Sequence, residues 1–261
     1  MTTHSYVLRD STTMLRRNLR RMTRYPIAAM TVIMVPVVVL LLFVYVFGET
    51  LGIGLGGSSR TDYLDYVTPG ILLLAIASGT QGTAISVAMD MKERIIARFK
   101  TMSITRASVL NGHVVGNTLQ TMAGLAFVVG VAVLIGFRPE AGPMGWMGVA
   151  GMLLLVTLAM TWLSVGFGLV SKTVEGASNL PMPLILLPFL GSGFVPTEGM
   201  PSGVAWFAEH QPFTPIMETI RGLLFGTPIG NDGLVAIAWC VGIGLVGYLW
   251  SIRLYDRNPD S

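Results

Sequence analysis

The chain has 261 residues, 52% of them hydrophobic and only 12% charged, with a formal net charge of +3 and a mean hydropathy of +0.66. Soluble domains carry roughly a quarter charged residues, so most of this surface must face lipid or other helices, which excludes an ordinary soluble domain. The basic residues sit in blocks beside apolar runs, suiting anionic headgroups better than a nucleic-acid groove, and the one cysteine, Cys240, has no partner for a disulfide or a zinc site.

Residues 1–26 are expected to form a cytoplasmic, interfacial amphipathic segment. Leu8, Leu15, Leu19 and Met22 recur at helical spacing while Arg16, Arg17, Arg20, Arg21 and Arg24 crowd other faces; a disordered topogenic tail is the alternative. The Arg-rich start has the look of a signal peptide. The apolar run from Ile27 to Phe47, however, is long enough to span and lacks a small-residue cleavage site, so it reads as a retained anchor. Further charge-free windows follow at Val67 to Met89, Val114 to Phe137, Trp146 to Val170, Leu180 to Val195 and Leu234 to Ile252. At about 1.5 Å rise per residue, a window of some twenty residues crosses a hydrocarbon core of roughly 30 Å. The fold class is therefore an all-α polytopic membrane protein, with six transmembrane helices in residues 27–252 and a cytoplasmic tail at 253–261. The fifth window is short and holds Pro181, Pro183 and Pro188, which predicts a kink or a continuation into the segment beyond it.

All 17 basic residues except Arg60, Arg138 and Arg221 fall on one side of these windows. A basic charge at the bilayer centre costs on the order of 3 kcal/mol, and Lys and Arg accumulate on the inner side, so that side is read as cytoplasmic and both termini lie there. The longest inward loop runs from Asp90 to Leu110. In it Ile95, Phe99 and Met102 align at i, i+4, i+7, predicting a short amphipathic helix whose stripe, ringed by Arg94, Arg98 and Arg106, packs on headgroups or docks a partner protein. On the outer side, Pro196 to Gly230 holds Trp206, Phe207, Pro212 and Pro215, then an apolar run from Ile216 to Phe225 interrupted by Glu218 and Arg221. That run is too short to span and is expected to be re-entrant or interfacial. Glu218 and Arg221, at i and i+3, are either a surface pair worth about 0.2–0.5 kcal/mol or part of an outer gate.

The windows contain no Asp, Glu, Lys or His, so a proton relay has no titratable group at depth, although a sodium site of backbone carbonyls stays open. No convergent catalytic set and no metal site is expected. His113, at the mouth of the third span, reads as a solvated or hydrogen-bonded polar residue. The stretch GFGLVSKT at 166–173 comes nearest to a phosphate-binding loop. Ser171 replaces its second glycine and it ends a span instead of following a strand, so it reads as a chance match. Gln81, Asn117 and Gln120 are uncharged polar groups inside spans, which either bond between helices, worth about 0.6–2 kcal/mol, or line a substrate path. Ser78, Gly82 and Ser86, and Gly112 and Gly116, put small residues on helix faces and predict close contacts there.

Several stretches look familiar together: the Arg-rich start leading to Tyr25-Pro26, DYLDYVTPGI (62–71), DMKERIIARFKTMSITRASVLNG (90–112), and FVPTEGMP (194–201) continuing through QPFTPIMETIRGLLFG (211–226). The chain resembles ABC-2 type permeases and, more narrowly, the daunorubicin-resistance permease group of bacterial drug exporters. The resemblance implies a bacterial plasma-membrane subunit, paired with a second permease subunit and two ABC ATPase subunits that carry ATP and Mg. It implies a coupling segment at Arg94, Ile95, Arg98, Phe99, Met102 and Arg106, and an outer re-entrant gate containing Phe194, Pro196, Pro212, Glu218 and Arg221. The family often has Gly where Arg94 stands and Pro where Ser103 stands. Gln81, Asn117 and Gln120 are the candidate path for an amphipathic drug or lipid-like substrate. Export of a lipid or lipid-linked glycan, or a non-transporting anchor or assembly subunit, are the alternatives.

Overall fold

The computed structural model describes residues 26–54, 59–92 and 106–257, and their regular structure is helical throughout. Helix α1 (Pro26–Leu42) passes through a π-helical turn, Phe43–Phe47, into α2 (Gly48–Gly54). Then come α3 (Arg60–Lys92), α4 (Arg106–Ile135) and α5 (Pro143–Val170). Two short helices, α6 (Val174–Asn179) and α7 (Met182–Leu186), lead through 3-10 turns at Leu187–Leu190 and Thr197–Gly199. A helical hairpin of α8 (Ser202–His210) and α9 (Phe213–Phe225) follows, and then α10 (Asp232–Arg257). The segments expected to form the N-terminal interfacial helix and to carry Arg94, Ile95, Arg98, Phe99 and Met102 lie outside the described residues; Arg106 is the first residue of α4.

Among the described residues, five stretches are long and apolar enough to cross a bilayer: Met34–Gly54, Arg60–Lys92, Leu110–Ile135, Pro143–Val170 and Asp232–Tyr255. They cover the first, second, third, fourth and sixth windows. The fifth differs from the sequence expectation of a sixth transmembrane helix. It breaks into α7, a 3-10 turn and the irregular residues 191–196, because Pro181, Pro183 and Pro188 each remove a backbone donor from the ladder. The second span is longer than its window, since α3 begins at Arg60. Its start is a reciprocal cap: Ser59 N–H donates to Asp62 Oδ2 (3.0 Å) and Asp62 N–H to Ser59 Oγ (3.4 Å). The last span likewise runs on to Arg257, so the expected tail begins as helix.

Burial sorts the spans into centre and periphery. The most apolar windows of α3 and α5 are 72% and 61% buried, against 28%, 33% and 22% for Met34–Gly54, α4 and α10. Leu64, Val67, Ile71, Leu72, Leu73, Leu74 and Ile76 of α3 are all buried, so this helix is apolar on every side and forms the axis of the core. α5 packs closely on α10. A Cβ on Gly247 would lie 2.6 Å from the Leu163 backbone N, so only glycine allows this approach, and Ser251 Oγ donates to Trp162 O (3.2 Å) across it. Hydroxyls in the spans turn back on their own helix: Thr68 donates to Leu64 O and Thr157 to Leu153 O, each at 2.7 Å, which removes a polar group from lipid.

Candidate functional site

A helix satisfies its own backbone in lipid; an irregular segment must be satisfied by its neighbours. The broken fifth window meets this need with side chains from α3 and the α8–α9 hairpin. Gln211 Nε2 donates to Leu187 O (3.0 Å), Arg221 Nη2 to Ser192 O (3.1 Å) and the Tyr63 hydroxyl to Phe194 O (3.2 Å). Ser192 N–H in turn donates to Thr214 Oγ1 (3.4 Å), whose hydroxyl donates to Ala208 O (2.5 Å). We refer to this as the hairpin end of the bundle.

Arg221 is the hub of that end. Its Nη1 donates to Glu218 Oε1 (2.5 Å), its Nη2 also donates to Tyr66 O (3.2 Å), and its guanidinium carbon lies 4.1 Å from the centre of the Tyr66 ring. The side chains of Arg221 and Glu218 are 15% and 35% exposed, so the pair is not a freely solvated surface bridge. Hydrogen bonds to charged groups contribute about 1.5–3 kcal/mol each, whereas a buried polar atom left without a partner costs about 1–3 kcal/mol. Both terms operate here, because Arg221 Nε and Ser192 Oγ are buried without a hydrogen-bond partner among the described residues.

The helix that receives Arg221 runs on without interruption but lacks one bond of its ladder near that point. Pro69 lies inside α3 and deprives the Asp65 carbonyl of its helical donor. At the next residue, a Cβ on Gly70 would lie 2.6 Å from the Gly193 carbonyl O and 2.8 Å from its Cα, so the broken segment rests backbone to backbone on α3. Beside this contact Phe189 stacks on Phe194 (centroids 4.3 Å apart), and Phe43, which opens the π-helical turn, packs against Phe194 at 4.8 Å.

Of the expected gate residues, the structure gathers Phe194, Glu218 and Arg221 into this assembly. Pro196 and Pro212 act through backbone geometry instead: Pro196 (φ −57°) precedes the 3-10 turn at Thr197–Gly199 and Pro212 (φ −62°) precedes α9. Tyr63, Tyr66 and Ser192 belong to the same assembly and were not singled out by sequence reasoning. Ser192 takes part through its backbone carbonyl, which any residue type would supply, and Tyr66 through both its carbonyl and its ring.

Two of the expected path residues bond between helices. Gln81 Nε2 donates to both the carbonyl and the hydroxyl of Ser178 (2.9 Å each), tying α3 to α6, while Asn117 Nδ2 donates to Thr161 Oγ1 (3.2 Å), tying α4 to α5. Gln120 is half-buried and joins neither pair. The tight side of α3 is also one residue away from the expected Ser78, Gly82 and Ser86, which are half-buried. Gly79 instead faces Thr121, the Ser164 hydroxyl donates to Thr80 O, and Gly168 abuts Ala84 and Val87. In the stretch 166–173, Gly166 lies beneath the Trp250 ring and Thr173 Oγ1 caps α6 by accepting from Gly176 N–H (3.0 Å), so these residues serve packing and capping.

At the opposite end, His113 Nε2 lies 3.0 Å from Asp90 Oδ2, with both side chains 5% exposed. The pair joins α3 to α4 at the two roots of the 93–105 segment. His113 is therefore buried against Asp90 rather than solvated. Asp90 was assigned to a loop on the sequence, so its burial carried no signal there.

Comparison with known proteins places this geometry in context. A family model described as ABC-2 type transporter matches residues 10–225. The chain is 28% identical over 253 residues to the daunorubicin resistance ABC transporter permease protein DrrB1 of Streptomyces coeruleorubidus, covering 95% of this chain and 86% of that protein. It is 27% identical over 237 residues to the probable doxorubicin resistance ABC transporter permease protein DrrC of Mycobacterium tuberculosis, covering 90% and 84%. It is 21% identical over 234 residues to the inner membrane transport permease YadH of Escherichia coli, covering 87% and 88%.

Proposed function

The chain belongs to the ABC-2 type transporter family, and on that premise we propose that it is the permease subunit of a bacterial exporter that moves an amphipathic drug or lipid-like molecule outward. ATP is hydrolysed by two separate ABC ATPase subunits, and a second permease subunit, of the same or a related sequence, completes the pore. The observation that supports this reading most is similarity along nearly the whole chain to permeases named for daunorubicin and doxorubicin resistance.

In this reading the chain's own residues bind, seal and transmit. The segment Arg94 to Arg106 docks on the ATPase; the buried Asp90–His113 pair at its roots makes α3 and α4 move together when that segment is pushed. α3 carries the displacement to the hairpin end, where Phe194 and the Glu218–Arg221 pair form the outer gate. No covalent step takes place on the chain. Both termini face the cytoplasm, in keeping with the basic residues of 1–26 and the tail.

The test is reconstitution with the cognate ATPase in proteoliposomes, with daunorubicin as the probe. ATP-dependent accumulation of the drug in inside-out vesicles is the expected result. Uphill movement driven by a cation gradient with no ATPase present, or a chain that never associates with an ATPase, would overturn the reading.

A further inference from the structure

Resting on the exporter reading, we propose that Arg221 is a latch that holds the broken fifth segment against α3 beside Pro69, and that its release opens the hairpin end.

Arg221 joins three elements through one guanidinium. It rises from α9, where Glu218 one turn earlier orients its guanidinium, and Nη2 bridges the Tyr66 carbonyl of α3 and the Ser192 carbonyl of the broken segment. Tyr66 lies one residue past the carbonyl that Pro69 leaves without its helical donor, so Arg221 grips α3 where the helix has least resistance to bending. Gly70, beside that point, carries the backbone of Gly193 directly. A bend in α3 at 65–70 therefore cannot leave residues 191–194 in place. As they move, the Tyr63 bond to Phe194 O and the Phe43–Phe194–Phe189 cluster part together.

The latch is also built to be reversible. Arg221 Nε and the Ser192 hydroxyl are buried and unpartnered among the described residues in the closed arrangement. Opening admits water to both, which offsets part of the loss of the carbonyl bonds. A planar guanidinium suits this task because one group can reach a carboxylate, two carbonyls and an aromatic face at once, which an ammonium cannot.

Ser192 can report on the latch, since Arg221 holds its carbonyl, which Ser192→Cys keeps; every comparison below is between chains that share this substitution. In chains carrying Cys240→Ala and Ser192→Cys, assembled with the ATPase in membranes free of nucleotide, the new thiol is titrated with a membrane-impermeant maleimide. Slow labelling is expected while Arg221 is present, and Arg221→Gln is expected to raise the rate about tenfold, as the open population grows. Tyr66→Phe, which keeps both ring and carbonyl, should leave the rate unchanged, whereas Tyr66→Leu should raise it. Equal labelling of the Arg221 and Arg221→Gln chains, at equal ATPase co-purification, overturns the latch. If Arg221→Gln fails to accumulate, Glu218→Gln takes its place; it must label faster than its parent, and equal rates sink the proposal in the same way. Because the resting measurement involves no transport, it stands apart from the exporter reading: latch-dependent labelling that ATP does not alter supports the latch and counts against the exporter.

Discussion

At position 70 the structure leaves no room for a side chain, and the obstacle is backbone, which cannot swing aside. Gly70→Ala is expected to cost about 1–3 kcal/mol through overpacking against Gly193, read as a lower unfolding midpoint in detergent; Gly199→Ala, where nothing lies within 4 Å, should leave the midpoint in place. The inter-helix amides make a different kind of prediction. Because Asn117 bonds Thr161 directly, Asn117→Leu and Thr161→Val should each lower stability by about 0.6–2 kcal/mol and be non-additive in combination. A changed drug profile at unchanged stability would return Asn117 to the substrate path. At this scale the sequence was only partly readable. Glu218 and Arg221 stood out as an i, i+3 pair, but the other ligands of Arg221 are main-chain carbonyls of residues 66 and 192, and carbonyls leave no trace in a sequence. Asp90 and His113 were similarly hidden, because the loop between them separates in sequence what the two helices bring together.

At the scale of the element, charge-free windows located the spans but trimmed their ends. Asp62 and Asp65 cut the second window short, yet α3 runs through both: Asp62, in the first turn, is stabilised by the helix N-terminus and completes a cap with Ser59, and Asp65 accepts from Arg138 N–H. The interruption of the fifth span was legible because proline acts locally, through its missing donor and fixed φ. What satisfies that interruption is tertiary and was not legible. The α5–α10 pair offers a sharp test of packing. Gly247→Val drives a branched side chain onto the backbone of Leu163, whereas Gly242→Val meets nothing within 4 Å. The first substitution is expected to raise protease sensitivity of the membrane-embedded chain, and the second to leave it unchanged.

For the molecule as a whole, the two ends of the bundle differ in kind. One end joins α3 to α4 through the buried Asp90–His113 contact and the apolar cluster of Val87, Leu110 and Val114; the other is held by a dispersed set of bonds to carbonyls. In the proposed mechanism a push delivered at the first end is carried to the second by α3, which runs unbroken between them. Charge reversal at Arg98 and Arg106 is expected to reduce ATPase co-purification more than it reduces the amount of chain in the membrane, as quantified by pull-down against total membrane protein. Equal losses of both would assign those arginines to membrane insertion instead.

The broken fifth segment bears on how the protein is made. Two of the three side chains that supply donors to its carbonyls, Gln211 and Arg221, lie downstream and are still inside the ribosome when residues 181–194 emerge from it. A nascent chain of that length has only Tyr63 with which to satisfy this stretch, so its stable integration is expected to wait for Gln211 and α9. Chains released early, by a stop codon near residue 200, would be recognised by quality-control proteases as unfinished.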